Sequence, residues 1–304
     1  MKRALLVAVA ALVVVPHAHA RPLLGLFGAQ TRFQQLTGQQ TQVGHAMFGW
    51  GNANFDQNLA RLGSMPMIAL VEGSVSPLAI ARGASDQYLF TLNASLARWA
   101  RPAYVRPMPE MNGHWNSYCA YTKSGRPKGA AYATTAFRKA FARIYLIVHG
   151  GPAATINAKL ARLKLPPIAQ DLPENPLPRV RVIWNPQGYG SPDLPGNSAQ
   201  AYYPGDAYVD VVGNDLYFIR GKAEWEANER LYRAHPSKPY AFPEWGLWGI
   251  DDPSFIQRMA QFARTHRRLE LLAWYNGQRG SVFDLGSKPR ARAAYRRLIV
   301  PMAA

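Results

Sequence analysis

From residue 21 onward the chain alternates short apolar runs with longer amphipathic stretches. Short runs suit buried parallel strands, and the longer stretches, apolar at every third or fourth position, suit helices packed on them. The pattern predicts strands over 23–28, 43–50, 67–71 (ending at Glu72), 103–105 (running on into Glu110), 180–184, 208–215, 239–242 and 269–275. Helices are predicted over 31–36, 55–62, 87–101, 130–148, 157–165, 223–234, 254–268 and 289–299. Tyr88, Leu89, Leu92, Leu96 and Trp99 recur at helical spacing behind Asp86, which is expected to cap that helix, and Pro102 stops it. Gly150-Gly151-Pro152 ends another helix. The Pro-rich stretch 166–178 is expected to be a loop, and 186–204, dense in Pro, Gly, Ser and Asn, a long loop over one barrel mouth. Eight strands alternating with helices, without an internal repeat or a linker, predict an α/β fold: a single-domain (β/α)8 TIM barrel over residues 21–304.

The first twenty residues stand outside this pattern. Lys2 and Arg3 precede an unbroken apolar run from Ala4 to Val15, and Ala18-His19-Ala20 supplies small residues for cleavage before Arg21. This is the form of a signal peptide, so a secreted or periplasmic protein is expected. The apolar run is short for a bilayer and no second one follows, so stable membrane insertion is not expected. Cys119 is the one cysteine, which excludes an intramolecular disulfide, and it reads as a packed thiol.

Charge changes the picture of partners. The chain carries a formal +17, and removing Lys2 and Arg3 with the leader leaves +15. Such a balance attracts polyanions. The basic residues are scattered, many in helical segments such as 264–268 and 290–292, and no nucleic-acid module is visible. A solvated outer ring of helices is the plain reading, with an acidic glycan the remaining partner and nucleic acid excluded. A monomer is expected.

The chemistry concentrates at two strand ends. Arg106-Pro-Met-Pro-Glu110-Met-Asn112-Gly-His114-Trp115 follows the apolar run of the fourth strand, and Pro239-Tyr-Ala-Phe-Pro-Glu244-Trp245-Gly comprises the seventh and its end. Reactive groups of barrel enzymes sit at such C-terminal strand ends. Two carboxyls about 5–5.5 Å apart across a sugar cleft are the equipment of a retaining glycosidase. Arg106 precedes Glu110 by an even number of residues, so it is expected to point into the barrel, where with Tyr217 it would keep Glu244 ionised. Trp274 is expected to form a flat floor for a pyranose ring, with Trp115, Trp184, Tyr189, Trp245 and Trp248 extending the platform. Lys123, Arg126 and Lys128 are candidate contacts for carboxylates on an acidic chain. No phosphate loop, zinc motif or nucleophile elbow is present, and no metal or organic cofactor is expected.

The run 106–115 resembles the acid/base motif of glycoside hydrolase family 26, the β-mannanase family of clan A barrels. Tyr202-Tyr-Pro-Gly-Asp-Ala-Tyr-Val-Asp-Val-Val-Gly-Asn-Asp-Leu-Tyr217 is similar to that family's sixth-strand signature, and Glu244 in Pro-Glu-Trp-Gly matches its nucleophile position. The resemblance runs over nearly the whole mature chain. It implies Glu110 as acid/base, Glu244 as nucleophile and Trp274 as the floor of the subsite where cleavage begins. The substrate would be a β-linked polysaccharide, mannan-like or related, acidic glycans included, with His114 or Asn112 near enough to substitute for one missing residue. That residue is the histidine the family places before its acid/base; here it is Pro109, with neither a ring nitrogen nor a backbone N–H. The alternative is a weak or inactive carbohydrate-binding barrel serving polysaccharide export or assembly.

Overall fold

A computed structural model describes residues 21–63, 65–71 and 73–303. The leader expected over 1–20 and the strand-end Glu72 lie outside the described residues. Nine strands form one sheet: β1 (Leu23–Phe27), β2 (Val43–Gly49), β3 (Met65–Val71), β4 (Ala103–Pro107), β5 (Val180–Trp184), β6 (Val211–Gly213), β7 (Leu216–Ile219), β8 (Tyr240–Trp248) and β9 (Leu269–Tyr275). Neighbours run in the order β6-β5-β4-β3-β2-β1-β9-β8-β7, and a further β6–β8 pairing closes the ring. The pairings between strands are parallel, as crossover helices require.

The expected sixth strand over 208–215 is instead split. Residues Asp206–Tyr208 make a 3₁₀ turn, and β6 contributes only Val211–Gly213. β8 is nine residues long and has edge to spare: Val212 and Gly213 pair with Tyr240 and Ala241, while Leu216 to Ile219 pair with Trp245 to Trp248. Asn214 and Asp215 are the buried joint between the two pieces. One barrel position is therefore filled twice, which gives nine strands in an eight-position ring.

The helices are α1 (Gln30–Thr37), α2 (Phe55–Leu62), α3 (Pro77–Ala81), α4 (Asp86–Trp99), α5 (Thr134–His149), α6 (Ala153–Arg162), α7 (Trp225–Ala234), α8 (Pro253–Thr265) and α9 (Pro289–Leu298). The short α3 is additional to the sequence pattern; Ser76 caps it and Pro77 opens it. Asp86 does not cap α4. Ser85 holds the cap position, and the Asp86 carboxylate takes both Nε (2.7 Å) and Nη2 of Arg143, tying α4 to α5. Residues Ala130–Tyr132 form a separate 3₁₀ turn ahead of α5. Gly150 closes α5 at φ 69, where a Cβ would lie 1.9 Å from the Pro173 carbonyl oxygen, so no side chain fits.

Alternation along the strands makes two cores. Val43, Met67, Tyr104, Ile183, Val211, Ala241, Leu271 and Ala273 fill the barrel interior. Their sequence neighbours, Trp184, Phe242, Leu272 and Trp274 among them, face the helices in the larger outer core. No helix among the described residues is long and apolar enough to cross a membrane.

Candidate active site

Arg106 stands one residue from the end of β4, on the interior face with Tyr104, and is 1% exposed. Beyond it the backbone leaves the strand through two left-handed non-glycine residues, Met108 (φ 48) and Glu110 (φ 52), with Pro109 between them. Such conformations cost on the order of 1–3 kcal/mol each and persist where surrounding bonds enforce them. Here Met108 N–H donates to Leu70 O (2.9 Å), Glu110 N–H to Asn185 O (2.7 Å), and Asn116 Nδ2 to Pro109 O (2.5 Å). The turn delivers the Glu110 carboxyl to the barrel mouth. Trp115 Nε1 donates to its Oε2 at 2.6 Å, and Gln187 Nε2 donates to Oε1. Gly113 permits this arrangement, since a Cβ there would lie 2.4 Å from the Trp115 ring.

Glu244 lies within β8 and is 5% exposed. One guanidinium nitrogen of Arg106 donates to its Oε1, and the Tyr217 hydroxyl donates to Oε2 at 2.6 Å. The other arm of the Arg106 fork meets Oδ2 of Asp215, and Nε donates to Asn185 Oδ1 at 2.7 Å. His45 Nε2 approaches Arg106 Nη1 at 3.5 Å from β2. Asn185 thus serves both glutamates' frames, through its side chain toward Arg106 and its carbonyl toward Glu110.

One guanidinium cannot neutralise three buried carboxyls, so their protonation must divide. Burial raises Glu110 and so does the charge of Glu244; the Trp115 hydrogen bond, the Arg106 charge and a hydrogen bond with Asp215 offset this only in part. Burial also raises Asp215, well above the usual range, with Arg106 opposing and both glutamates adding to the rise. Glu244 comes out below the usual value: burial pushes it up, but the Arg106 charge and the hydrogen bonds from Tyr217 and Arg106 outweigh that. Burial drives His45 down to about 3, so it is neutral and can accept from Arg106. Asp215 and Glu110 are therefore the carboxyls biased toward holding a proton, and Glu244 the one biased toward the anion.

Above these groups opens a cleft of about 1020 Å³. Glu110, Asp215, Glu244 and Tyr217 form its base, and Trp115, Tyr189 and Trp248, respectively 49%, 37% and 46% exposed, stand on its walls. Tyr275 also lines it, stacked on Phe27 with ring centres 4.5 Å apart.

Three expected platform residues are elsewhere. Trp184, Trp245 and Trp274 are fully buried against the helices, with Trp245 stacked on Tyr295 and edge-on to Trp274, and Trp184 edge-on to Tyr203 and His235. Strand alternation is the reason. Ile183, Glu244 and Ala273 face inward, so the next residue on each strand faces out. On β9 the inward position beyond Ala273 is Tyr275, which takes the place expected of Trp274.

Asn112 is also buried and does not reach the cleft. Its Nδ2 donates to the carbonyls of Gln187 (2.9 Å) and Tyr189 (3.1 Å), and its Oδ1 accepts from Gln187 N–H (2.8 Å), which fixes the loop carrying both residues. His114 meets Ser191 Oγ at 3.1 Å and lines a shallower depression with Asn116, Ser117 and Lys128 on the other side of Trp115. Lys123 and Arg126 line neither, and Lys128 is turned to the Ser117 carbonyl at 3.2 Å. The cations at the cleft are Arg220 and Lys222. Cys119 is buried beside Asn197.

Asp215, Asn185, Gln187 and His45 escaped the sequence reading as site residues. A local signal existed for Asp215, which lies two residues before Tyr217 in the Gly-Asn-Asp-Leu-Tyr run. The other three carry none. Among the described residues no group of three or more His, Cys, Asp or Glu is arranged to hold a metal ion.

Residues 181–265 match the model of glycosyl hydrolase family 26. The chain is 22% identical over 287 residues to endoglucanase H of Acetivibrio thermocellus, covering 88% of this chain but only 28% of that enzyme's length. Among solved structures, a mannanase of Bacillus subtilis superposes with a TM-score of 0.59 at 17% identity, covering 93% of this chain and 86% of the other. A β-mannanase from Bacteroides ovatus gives a TM-score of 0.54 at 16% identity, with 92% and 85% covered. At these identities the structural matches speak for the (β/α)8 fold.

Proposed function

We propose that this chain, whose residues 181–265 match the model of glycosyl hydrolase family 26, is a member of that family and an exported, monomeric endo-β-glycosidase that cleaves a β-linked polysaccharide with retention of configuration. The observation that carries the proposal is the unequal treatment of two carboxyls in one cleft. Arg106 and Tyr217 grip Glu244, while Glu110 has no guanidinium bound to it and is hydrogen-bonded by an indole, an amide and the Asp215 carboxyl. A double displacement needs that asymmetry.

In the first step an oxygen of Glu244 attacks the anomeric carbon. The bond to the leaving oxygen breaks as Glu110 gives that oxygen its proton. In the second step Glu110, now a carboxylate, takes a proton from water as the water displaces Glu244 and frees the sugar. Arg106 and Tyr217 hold Glu244 in one orientation and keep it anionic. Gln187 and Trp115 hold the Glu110 carboxyl by hydrogen bonds, and Pro109, the residue before it, has no side-chain donor to offer. Trp115, Tyr189, Trp248 and Tyr275 supply faces for sugar rings. The substrate is mannan-like or a related chain, acidic glycans included, and the leader before Arg21 takes the protein out of the cytoplasm.

The test is hydrolysis of a panel of neutral and uronate-containing β-glycans by wild type, Glu110→Ala and Glu244→Ala. Endo cleavage by the wild type should be lost in both variants, and azide should restore turnover in Glu110→Ala on a substrate with an activated leaving group. Binding without cleavage by the wild type would instead establish a carbohydrate-binding barrel.

A further inference from the structure

After β7 the chain reverses over the cleft in a two-residue turn. Ile219 N–H donates to Lys222 O (2.8 Å) and Lys222 N–H to Ile219 O (3.1 Å), with Arg220 at φ 50 and Gly221 at φ 85 between them. Left-handed backbone at both central positions is the geometry for which Asn-Gly is the usual sequence. The first position here carries arginine, a residue with a Cβ clash and no local hydrogen bond in compensation. A strained residue of this kind is a pointer to function when its side chain has somewhere to act.

Arg220 does. It is exposed, lines the cleft, and makes no hydrogen bond or ion pair with any described residue. The other charges of the cleft are spoken for: Arg106 answers Glu244 at the base, and Lys222 pairs with Glu224 at 2.8 Å on the rim. The turn also sits between two exposed aromatics. Ile219 is in register with Trp248, and Lys222 lies close enough to Tyr189 for its charge to act on the phenol. A sugar stacked on either ring would present its substituents to the Arg220 guanidinium.

We propose that Arg220 is a specificity-determining residue that binds a carboxylate on the glycan, so that the chain cleaved carries uronate-type groups near the scissile bond. A planar guanidinium matches a carboxylate through two parallel hydrogen bonds, and the aromatic walls, which accept any pyranose, cannot make that distinction. The proposal rests on the reading of this cleft as the glycan-cleaving site, and it moves the acidic-substrate contact from the loop of Lys123, Arg126 and Lys128 to the turn after β7.

Glucomannan and a carboxymethylated derivative of the same preparation are the probes. Binding is measured by calorimetry in a Glu110→Gln background, alone and with Arg220→Asn, Arg220→Lys or Lys123→Asn. Arg220→Asn suits the turn, so its melting temperature should not fall. It should weaken the carboxymethylated chain about fivefold more than the unmodified one, the scale of an exposed ion pair. Arg220→Lys should lose less, Lys123→Asn should not discriminate, and the selective loss should vanish in about 0.5 M salt. Equal losses on both chains, or none, would overturn the proposal. Hydrolysis assays of wild type and Glu244→Ala on the same glycans judge the enzymatic reading separately. No cleavage with a selective Arg220 effect removes that reading alone, and cleavage with an unselective Arg220 removes this proposal alone.

Discussion

The indole N–H of Trp115 donates to Oε2 of Glu110 across 2.6 Å, from a ring that is 49% exposed at the cleft mouth. A donor to a carboxylate stabilises its ionised form, and this bond is one of the influences holding Glu110 down against burial and the Glu244 charge. Trp115→Phe keeps the aromatic face and removes the donor. The Glu110 pKa should then rise further, and the alkaline limb of the kcat/KM profile, which reports loss of the acid's proton, should move to higher pH. A limb that stays in place or moves down would show that another group sets it.

Asp215 and Glu110 both hold protons in the fold above the pH at which free carboxyls release them. Between the ordinary carboxyl range and those raised values the folded chain binds more protons than the unfolded chain, so stability falls as pH rises through that window. Asp215→Asn removes one such group. The melting temperature of the variant should fall less than that of the wild type between about pH 5 and pH 8. Glu244, shifted the other way, contributes stability that is lost only on acidification below that window.

Arg106 is buried and divides its fork among Glu244, Asp215 and Asn185. Lysine keeps the charge but cannot reach three partners. Arg106→Lys should cost roughly 3–5 kcal/mol in urea unfolding, the scale for breaking a buried ion pair. It should also lower kcat by about a hundredfold or more, because the carboxylate at Glu244 loses its orientation. A variant as stable as the wild type would show that the cluster relaxes around the shorter chain.

Tyr275 and Trp274 are sequence neighbours with opposite surroundings, one in the cleft and one among the helices. Tyr275→Ala should raise KM for polysaccharide several-fold with a small change in melting temperature. Trp274→Ala should cost about 3–5 kcal/mol of stability through the cavity it leaves. If Trp274→Phe, which retains most of the packing, raised KM as strongly as Tyr275→Ala, the assignment of faces would be wrong.

The sequence by itself determined what depends on local period and composition. The alternation of short apolar runs with amphipathic ones specified the barrel, and β5 and β9 have the bounds read from it, Val180–Trp184 and Leu269–Tyr275. Arg106 lies inside the barrel as expected, but through its spacing of two from Tyr104 within β4, since Glu110 stands past the strand's end behind a left-handed turn. Tertiary structure decided everything that needed the ring to close. Which parity faces inward on β5 and β9 depends on register with neighbouring strands, and on β8 the irregularity between Phe242 and Trp245 turns Glu244 inward, so Trp184, Trp245 and Trp274 face the helices and Tyr275 the cleft. The division of the sixth barrel position followed from the spare edge of β8, which no pattern within 208–219 reveals. Arg106 meets Asn185, Asp215 and Glu244 across 79, 109 and 138 residues of chain. Charge, burial and proton sharing at that meeting point are properties of the closed barrel, because only closure removes water from all of these groups at once.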